Sequence, residues 1–378
     1  MKILAIIFHF PPISGGGVIV AVELVNKFAK MGHKVTVVTP DVDWSGAKYE
    51  PNIESNVEVI RVKVPSKDKI KIAARRCKKY LQKKGEEIGN KEKFDFVFTI
   101  FHPFHLAPSA AVSCAMNLKI PSIVKIDDAV FEKASGIKSI QRKIEKIMHS
   151  KTLMKSSHIL VVNEETKKIV KNYYNVSGEK ILIIPNGVNL SFFNKRKFNK
   201  KSILFSGAMY GHRGIDVLLE SAPNIIKKIP DVEFNLLGDG PEINNLKKIV
   251  KDKKIEKNVK FQGWIDRNKI PEKLSEASIG IGPLKLTTVT QNALPIKILE
   301  YMAAGLPIIA KKGTLPKDVL EDGENGFFID DVDDLIKKMS LLLTDSKINI
   351  KMGEKSLEKV QKFSWEKIAK SILDVEKN

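Results

Sequence analysis

The sequence predicts an α/β protein built from two tandem Rossmann-like, doubly wound domains. Two observations lead to this. Short runs rich in Val, Ile and Phe alternate with amphipathic helical stretches along most of the chain. The alternation pauses once, at a polar and basic stretch from 189 to 201, and then restarts. Continuous apolar runs mark strands buried on both faces, and helices between such strands mark a parallel sheet. A chain of 378 residues is long for one core and comfortable for two.

Taken in order, the strand-like runs of the first half are Lys2–Phe8, Lys34–Thr39, Val57–Val62, Phe94–Ile100, Ser122–Ile126 and His158–Val162, with helical spacing between them, as in Val18–Met31. Ile181 to Val188 closes this half, and residues 189–201 read as a linker. The runs of the second half are Ser202–Gly207, Val232–Leu237, Val259–Phe261, Ser278–Ile281 and Leu306–Ala310. A last amphipathic helix covers Ser364 to Val375. The expected domains are therefore 1–188 and 202–362, followed by a C-terminal helical segment, 363–378.

The composition, 43% hydrophobic and 29% charged, is that of a soluble globular protein. The apolar start, Met1 to Phe8, stops at Pro11-Pro12 with no small-residue cleavage site, so it reads as a buried first strand rather than a signal peptide. No apolar run reaches the roughly 18 residues that span a bilayer. Cys77 and Cys114 lack metal-ligand spacing and sit in helical patterns, as reduced thiols of a cytoplasmic protein do. Lys and Arg number 64 against 44 Asp and Glu, a net charge of +20. That balance favours phosphates in nucleotides or anionic lipid, and is equally what a Lys-rich solvated surface produces. No aromatic-rich basic stripe is present for stacking bases, so nucleic acid is not an expected partner.

Five stretches carry chemistry. Asn292 to Ile309 places one carboxylate, Glu300, near the start of a short apolar helix, and a Gly-Leu-Pro turn then enters the strand Pro307–Ala310. A carboxylate there, at the C-terminal edge of a parallel sheet, can accept both hydroxyls of a ribose. Ser14-Gly15-Gly16-Gly17, between the first strand and first helix, lets backbone approach a ligand at a helix N-terminus; a plain tight turn is the other reading. Gly207-Ala-Met-Tyr-Gly-His-Arg213-Gly214 opens the first helix of the second domain. A cation at a helix N-terminus opposes the dipole, so Arg213 calls for a phosphate, which a guanidinium grips in bidentate fashion. Leu237-Gly238-Asp239-Gly240-Pro241 is a strand-end turn whose N–H groups can line a nucleotide cleft, or simply a turn. In Phe261-Gln-Gly-Trp264-Ile265, packing and base contact are not separable by sequence. At strand ends of the first domain, His102, His105, Asp127 and Asp128 are acid/base candidates. No D-x-D pair of the kind that holds a divalent ion is present, and no metal cofactor is expected.

Over nearly its whole length, from the glycine loop to the closing helix, the chain resembles the retaining glycosyltransferases of the GT-B fold, glycosyltransferase family 4. The motif that carries the resemblance is Glu300-Tyr-Met-Ala-Ala-Gly-Leu-Pro307, where the family reads Glu-Ala-Met-Ala-x-Gly-x-Pro. The resemblance implies two domains facing a cleft, a nucleotide-sugar held mostly by the second, and a closing helix that returns to the first. It implies that Glu300 holds the ribose and Arg213 the diphosphate. It also implies that Gly207, Gly238, Asp239, Ile265 and Leu294 line the donor site, with Gly16 and Gly17 closing over the phosphates. Lys297, three residues before Glu300 on the same helical face, is a second cation for the leaving group. The chain departs from the family at several places. Asn292 replaces a Glu eight positions before Glu300, Leu294-Pro295 replaces Phe-Gly, Ala208 replaces the first cation, and Asp127 stands where many members have His. Asn keeps hydrogen bonding but loses charge, so the donor sugar is expected to differ from that of Glu-bearing relatives.

Two basic amphipathic helices of the first domain complete the picture. One, Lys67 to Lys84, carries Ile70, Ala73, Ala74, Cys77, Tyr80 and Leu81; the other, Ile137 to Lys155, carries Ile140, Ile144, Ile147 and Met148. Such faces either cover a sheet or lie on an anionic membrane. The sequence thus leads to a metal-independent glycosyltransferase, cytoplasmic and peripheral on the inner face of the cell membrane. It would take a nucleotide-sugar and a glycan or lipid-linked acceptor, in cell-surface polysaccharide or glycoconjugate synthesis. A GT-B epimerase or phosphorylase, or a non-catalytic basic binding protein, are the alternatives.

Overall fold

The structure is a computed structural model. It describes residues 1–42, 48–65, 70–129, 137–193 and 200–377; side chains 70–72, 137, 138, 141, 192 and 292 lie outside that description. The chain forms two compact units, Met1–Asn186 together with Trp365–Asn378, and Gly187–Ser364.

The first unit runs β1 (Lys2–Ile6), α1 (Gly16–Lys30), β2 (Lys34–Asp41), β3 (Val57–Lys63), α2 (Ile70–Lys91), β4 (Phe96–Phe101), α3 (Ala107–Leu118), β5 (Ser122–Ile126), α4 (Ile137–Lys155), β6 (His158–Val161), α5 (Glu164–Tyr173) and β7 (Ile181–Ile183). Its seven strands pair in the order β3-β2-β1-β4-β5-β6-β7, all parallel. The order reverses between β1 and β4, so the crevice outside their C-terminal ends is the place where such sheets bind ligands. The strands are apolar throughout because both faces are covered; Ile3, Leu4, Ala5 and Ile6 are all fully buried.

The second unit runs β8 (Ser202–Ser206), α6 (Ile215–Lys228), β9 (Glu233–Leu237), α7 (Ile243–Asp252), β10 (Val259–Gly263), α8 (Ile270–Ser275), β11 (Ile279–Ile281), α9 (Thr288–Asn292), α10 (Ile296–Ala303), β12 (Ile308–Lys311), β13 (Gly326–Ile329), α11 (Val332–Thr344) and α12 (Ser346–Val360). The strand order β10-β9-β8-β11-β12-β13 again reverses beside the first strand of the unit. The Val188 N–H donates to the Phe363 carbonyl at 2.8 Å, which pins the two ends of this unit together. The final helix, α13 (Trp365–Val375), belongs to the first unit. Trp365, Ile368, Ala369, Ile372 and Leu373 form its buried face, and Glu366 pairs with Lys27 of α1.

The two basic helices differ. On α2, Ala73, Ala74, Cys77 and Leu81 are buried, so that face covers the sheet. On α4 the buried residues are His149, Thr152 and Leu153, whereas Ile140, Ile144 and Ile147 are 62%, 55% and 56% exposed. The apolar stripe of α4 therefore points away from the unit's own core. Among the described residues no helix is long and apolar enough to cross a membrane.

Candidate active site

In the second unit, the loops that follow β8, β9 and β10 are knitted together backbone to backbone. Gly207 N–H donates to Leu237 O (2.9 Å), Gly238 N–H to Gly263 O (2.6 Å) and Met209 N–H to Asp239 O (2.9 Å). Gly207 and Gly238 have φ of 127° and 118°, and a Cβ on Gly238 would lie 2.2 Å from the Gly207 carbonyl oxygen. Only glycine satisfies both conditions there. These loops form a tight backbone floor beside the C-terminal ends of the strands.

Over that floor stand the cations. Lys297 is in the first turn of α10, and its Nζ lies 3.7 Å from the Phe205 ring centroid and 3.4 Å from where a Gly207 Cβ would be. The side chain keeps some exposed surface, but the ammonium itself is hemmed in by protein. Burial, and then the Arg213 guanidinium, hold its pKa well below the usual lysine value, while Glu300 pulls the other way. Arg213 ends a short 3-10 turn before α6, and its carbonyl accepts from Leu284 N–H at 3.0 Å. Two cations held near each other suit an anion.

Glu300 sits one turn after Lys297, in the middle of α10 rather than near its start, and is 5% exposed. Its Oε1 accepts from Arg267 Nη1 at 2.8 Å. Arg267, which the sequence did not single out, lies in the loop after β10, two residues beyond Ile265. Ile265 is half-buried, and its neighbour Trp264 is 49% exposed. Leu294 is buried in the turn before α10. Asp239 is exposed and its Oδ1 accepts from the adjacent Gly240 N–H at 2.7 Å. The side chain of Asn292, at the end of α9, lies outside the described residues. The structure therefore gathers Gly207, Gly238, Arg213, Lys297 and Glu300 in one place, and turns Asp239 toward its own loop.

In the first unit, Gly16 and Gly17 open α1, which has no side-chain cap. A Cβ on Gly15, Gly16 or Gly17 would meet nothing within 4 Å, so open space, not internal packing, surrounds this turn. Asp127 follows β5. The fully buried Lys125 donates to Asp127 Oδ1 at 2.6 Å and to Asn186 Oδ1 at 2.8 Å. Asp127 thus neutralises a lysine inside the sheet, a partnership hidden in the sequence because Lys125 stands within an apolar strand. His105 is 2% exposed and stacks on Phe8 at 4.8 Å. His9, beyond β1, and His102, beyond β4, complete a group with it, and one ring nitrogen from each lies within 4.8 Å of the others. Burial pushes the His9 pKa down to about 4 and that of His102 to about 3; burial and the neighbouring imidazoles hold His105 well below the usual range. The grouping was not legible in the sequence, where His9 is remote from the His102–His105 pair.

Two adjoining family patterns match the chain: Glycosyltransferase Family 4 over residues 14–192, and Glycosyl transferases group 1 over residues 189–359. An uncharacterized glycosyltransferase of Haemophilus influenzae is 30% identical over 217 residues, which is 56% of this chain and 58% of that protein. Among solved structures, sucrose-phosphate synthase from Thermosynechococcus elongatus superposes with a TM-score of 0.80 at 18% identity, covering 100% of this chain and 98% of the other. Anabaena HepE, solved in complex with UDP, gives a TM-score of 0.75 at 14% identity over 99% of both chains. Together the two patterns span both units and the fold is shared across their full length, so the chain belongs to the GT-B glycosyltransferases of family 4, the glycosyl transferases group 1.

Proposed function

We propose that the chain transfers a sugar, with retention of anomeric configuration, from a uridine-diphosphate sugar to a glycan or lipid-linked acceptor. The observation that carries this is the juxtaposition of Lys297, Arg213 and Glu300 above the glycine floor of the second unit. In this reading Glu300 accepts the ribose hydroxyls. Lys297 and Arg213 take up charge on the diphosphate as the bond from anomeric carbon to oxygen breaks and the electron pair leaves with the nucleotide. That is stabilisation of developing charge by groups already in place. The cations do the work of a divalent ion at the diphosphate, and no enzyme nucleophile is assigned. Uridine is supported by the UDP complex of Anabaena HepE, and the domain limits 1–188 and 202–362 by the two adjoining family patterns.

The acceptor side is proposed to meet an anionic membrane surface through α4, whose exposed Ile140, Ile144 and Ile147 run beside the exposed Lys143, Lys151 and Lys155. The experiment for the transfer reaction is proton NMR of the sugar released or transferred from a UDP-α-sugar. The expected first product is the α-anomer, before mutarotation. A first product with β configuration would overturn the retaining assignment.

A further inference from the structure

The three imidazoles of the first unit are unassigned by the donor reading. They come from two loops, the one after β1 and the one after β4, at the point where the strand order reverses. Their ring centroids form a near-regular triangle: His9–His105 5.0 Å, His9–His102 5.3 Å and His102–His105 5.8 Å. With metal–nitrogen bonds of about 2.05 Å and a ring centroid about 1.2 Å behind the nitrogen, two imidazoles on a tetrahedral ion have centroids about 5.3 Å apart. The triangle has that size. The ligand nitrogens are within 4.8 Å of one another, against about 3.3 Å around a tetrahedral ion, so metal binding would draw them closer by up to about 1.5 Å.

One further fact points to a ligand. His105 Nδ1 is buried without a hydrogen-bond partner, although buried polar atoms are almost always satisfied. The loop that carries two of the imidazoles is anchored from below, where His149 Nε2 meets the Pro103 carbonyl at 3.1 Å. His102 Nδ1 accepts from the Phe104 N–H at 3.3 Å.

We propose that His9, His102 and His105 form a binding site for a divalent transition metal of the Zn2+ type. Neutral imidazoles without a carboxylate suit Zn2+, Co2+ or Cu2+ and not Mg2+ or Ca2+. Three protein ligands leave a fourth position for water or an oxygen of a bound molecule. His9 and His102 are only half-buried, which supplies a path for entry. All three ligands belong to the first unit, so the metal is not assigned to the donor diphosphate.

The test uses full-length protein without an affinity tag, treated with chelator and dialysed, then titrated with Co2+. One equivalent is expected to bind and to give the visible absorption of low-coordinate Co2+, and one equivalent of Zn2+ should displace it. His9→Gln and His102→Gln should each weaken binding by more than about tenfold. His158→Gln, outside the group, should not. Circular-dichroism melts of each variant show that the fold is kept, and two separate variants guard against one that fails to fold. Absence of stoichiometric uptake, or uptake unchanged in both cluster variants, would overturn the site. The readout is metal binding alone, so it stands or falls apart from the sugar-transfer reading.

Discussion

Lys297→Met lowers kcat by about 10²–10³ while the melting temperature stays the same or rises. The two halves of this expectation come from one fact. The ammonium of Lys297 is hemmed in between the Phe205 ring and the Gly207 backbone, with Arg213 as an electrostatic neighbour, and both burial and Arg213 depress its pKa. A cation held in that way weakens the folded state, since the unfolded chain solvates it freely. A methionine of similar length keeps the packing and removes the penalty. The sign follows from linkage. The folded pKa lies below the ordinary 10.5, so the penalty is complete below the folded value and vanishes as pH rises toward 10.5. The variant's advantage in melting temperature should shrink over the same range. In the proposed reaction the same cation meets the departing diphosphate, where loss of one positioned group costs about 3–4 kcal/mol. Steady-state kinetics with a UDP-sugar, paired with thermal melts, checks both halves. A variant that is less stable and fully active would show that Lys297 serves structure only.

The double variant Ile144→Asp, Ile147→Asp should weaken binding to vesicles rich in anionic phospholipid by more than about a hundredfold, without changing the melting temperature. Each isoleucine that enters the interface contributes about 1.5–3 kcal/mol. Both are already more than half exposed in the folded unit, so the exchange removes no core contact. Each neighbouring lysine adds about 1 kcal/mol near an anionic surface. Vesicles of neutral phospholipid should therefore bind less than anionic ones, and added salt should weaken the anionic case. Sedimentation of protein with vesicles measures all of this. Equal binding by wild type and double variant would remove α4 as the docking face.

Most strands were legible because a parallel sheet buried on both faces leaves an unbroken apolar run, as in Ile3 to Ile6 or Ile159 to Val161. Two strands were not. In β7, Leu182 and Ile183 are 37% and 39% exposed at the edge of the sheet, and the strand runs directly into Pro185-Asn186-Gly187. In β13 the strand is four residues that begin at Gly326, where the Ile308 backbone comes so close that a Cβ would sit 2.0 Å from its carbonyl oxygen. A glycine that permits that approach reads in sequence as a turn. Within the candidate site, Glu300 and Arg213 stood out in the sequence because each sits in a local motif with a physical rationale. Arg267 did not, since its pairing with Glu300 joins the turn after β10 to a helix 33 residues on. His9 was hidden for the same reason: its partners are set by strand order, which local spacing does not encode. Lys125 was hidden because it stands within an otherwise apolar strand, although Asp127 is only two residues on. The periodicity of α4 showed an apolar stripe, but which side of that stripe faces the protein is decided only by packing.

The central claim is that Glu300, with Lys297 and Arg213, holds a uridine diphosphate group. Isothermal titration of UDP into the wild-type protein and into Glu300→Gln tests it most directly. Glutamine keeps the volume and one acceptor but gives up the charge, and hydrogen bonds to a charged group are worth about 1.5–3 kcal/mol. The account predicts one UDP per wild-type chain, and binding weaker by at least about tenfold in a variant that remains folded. Failure of the wild type to bind UDP, or equal affinity in both proteins, would contradict it.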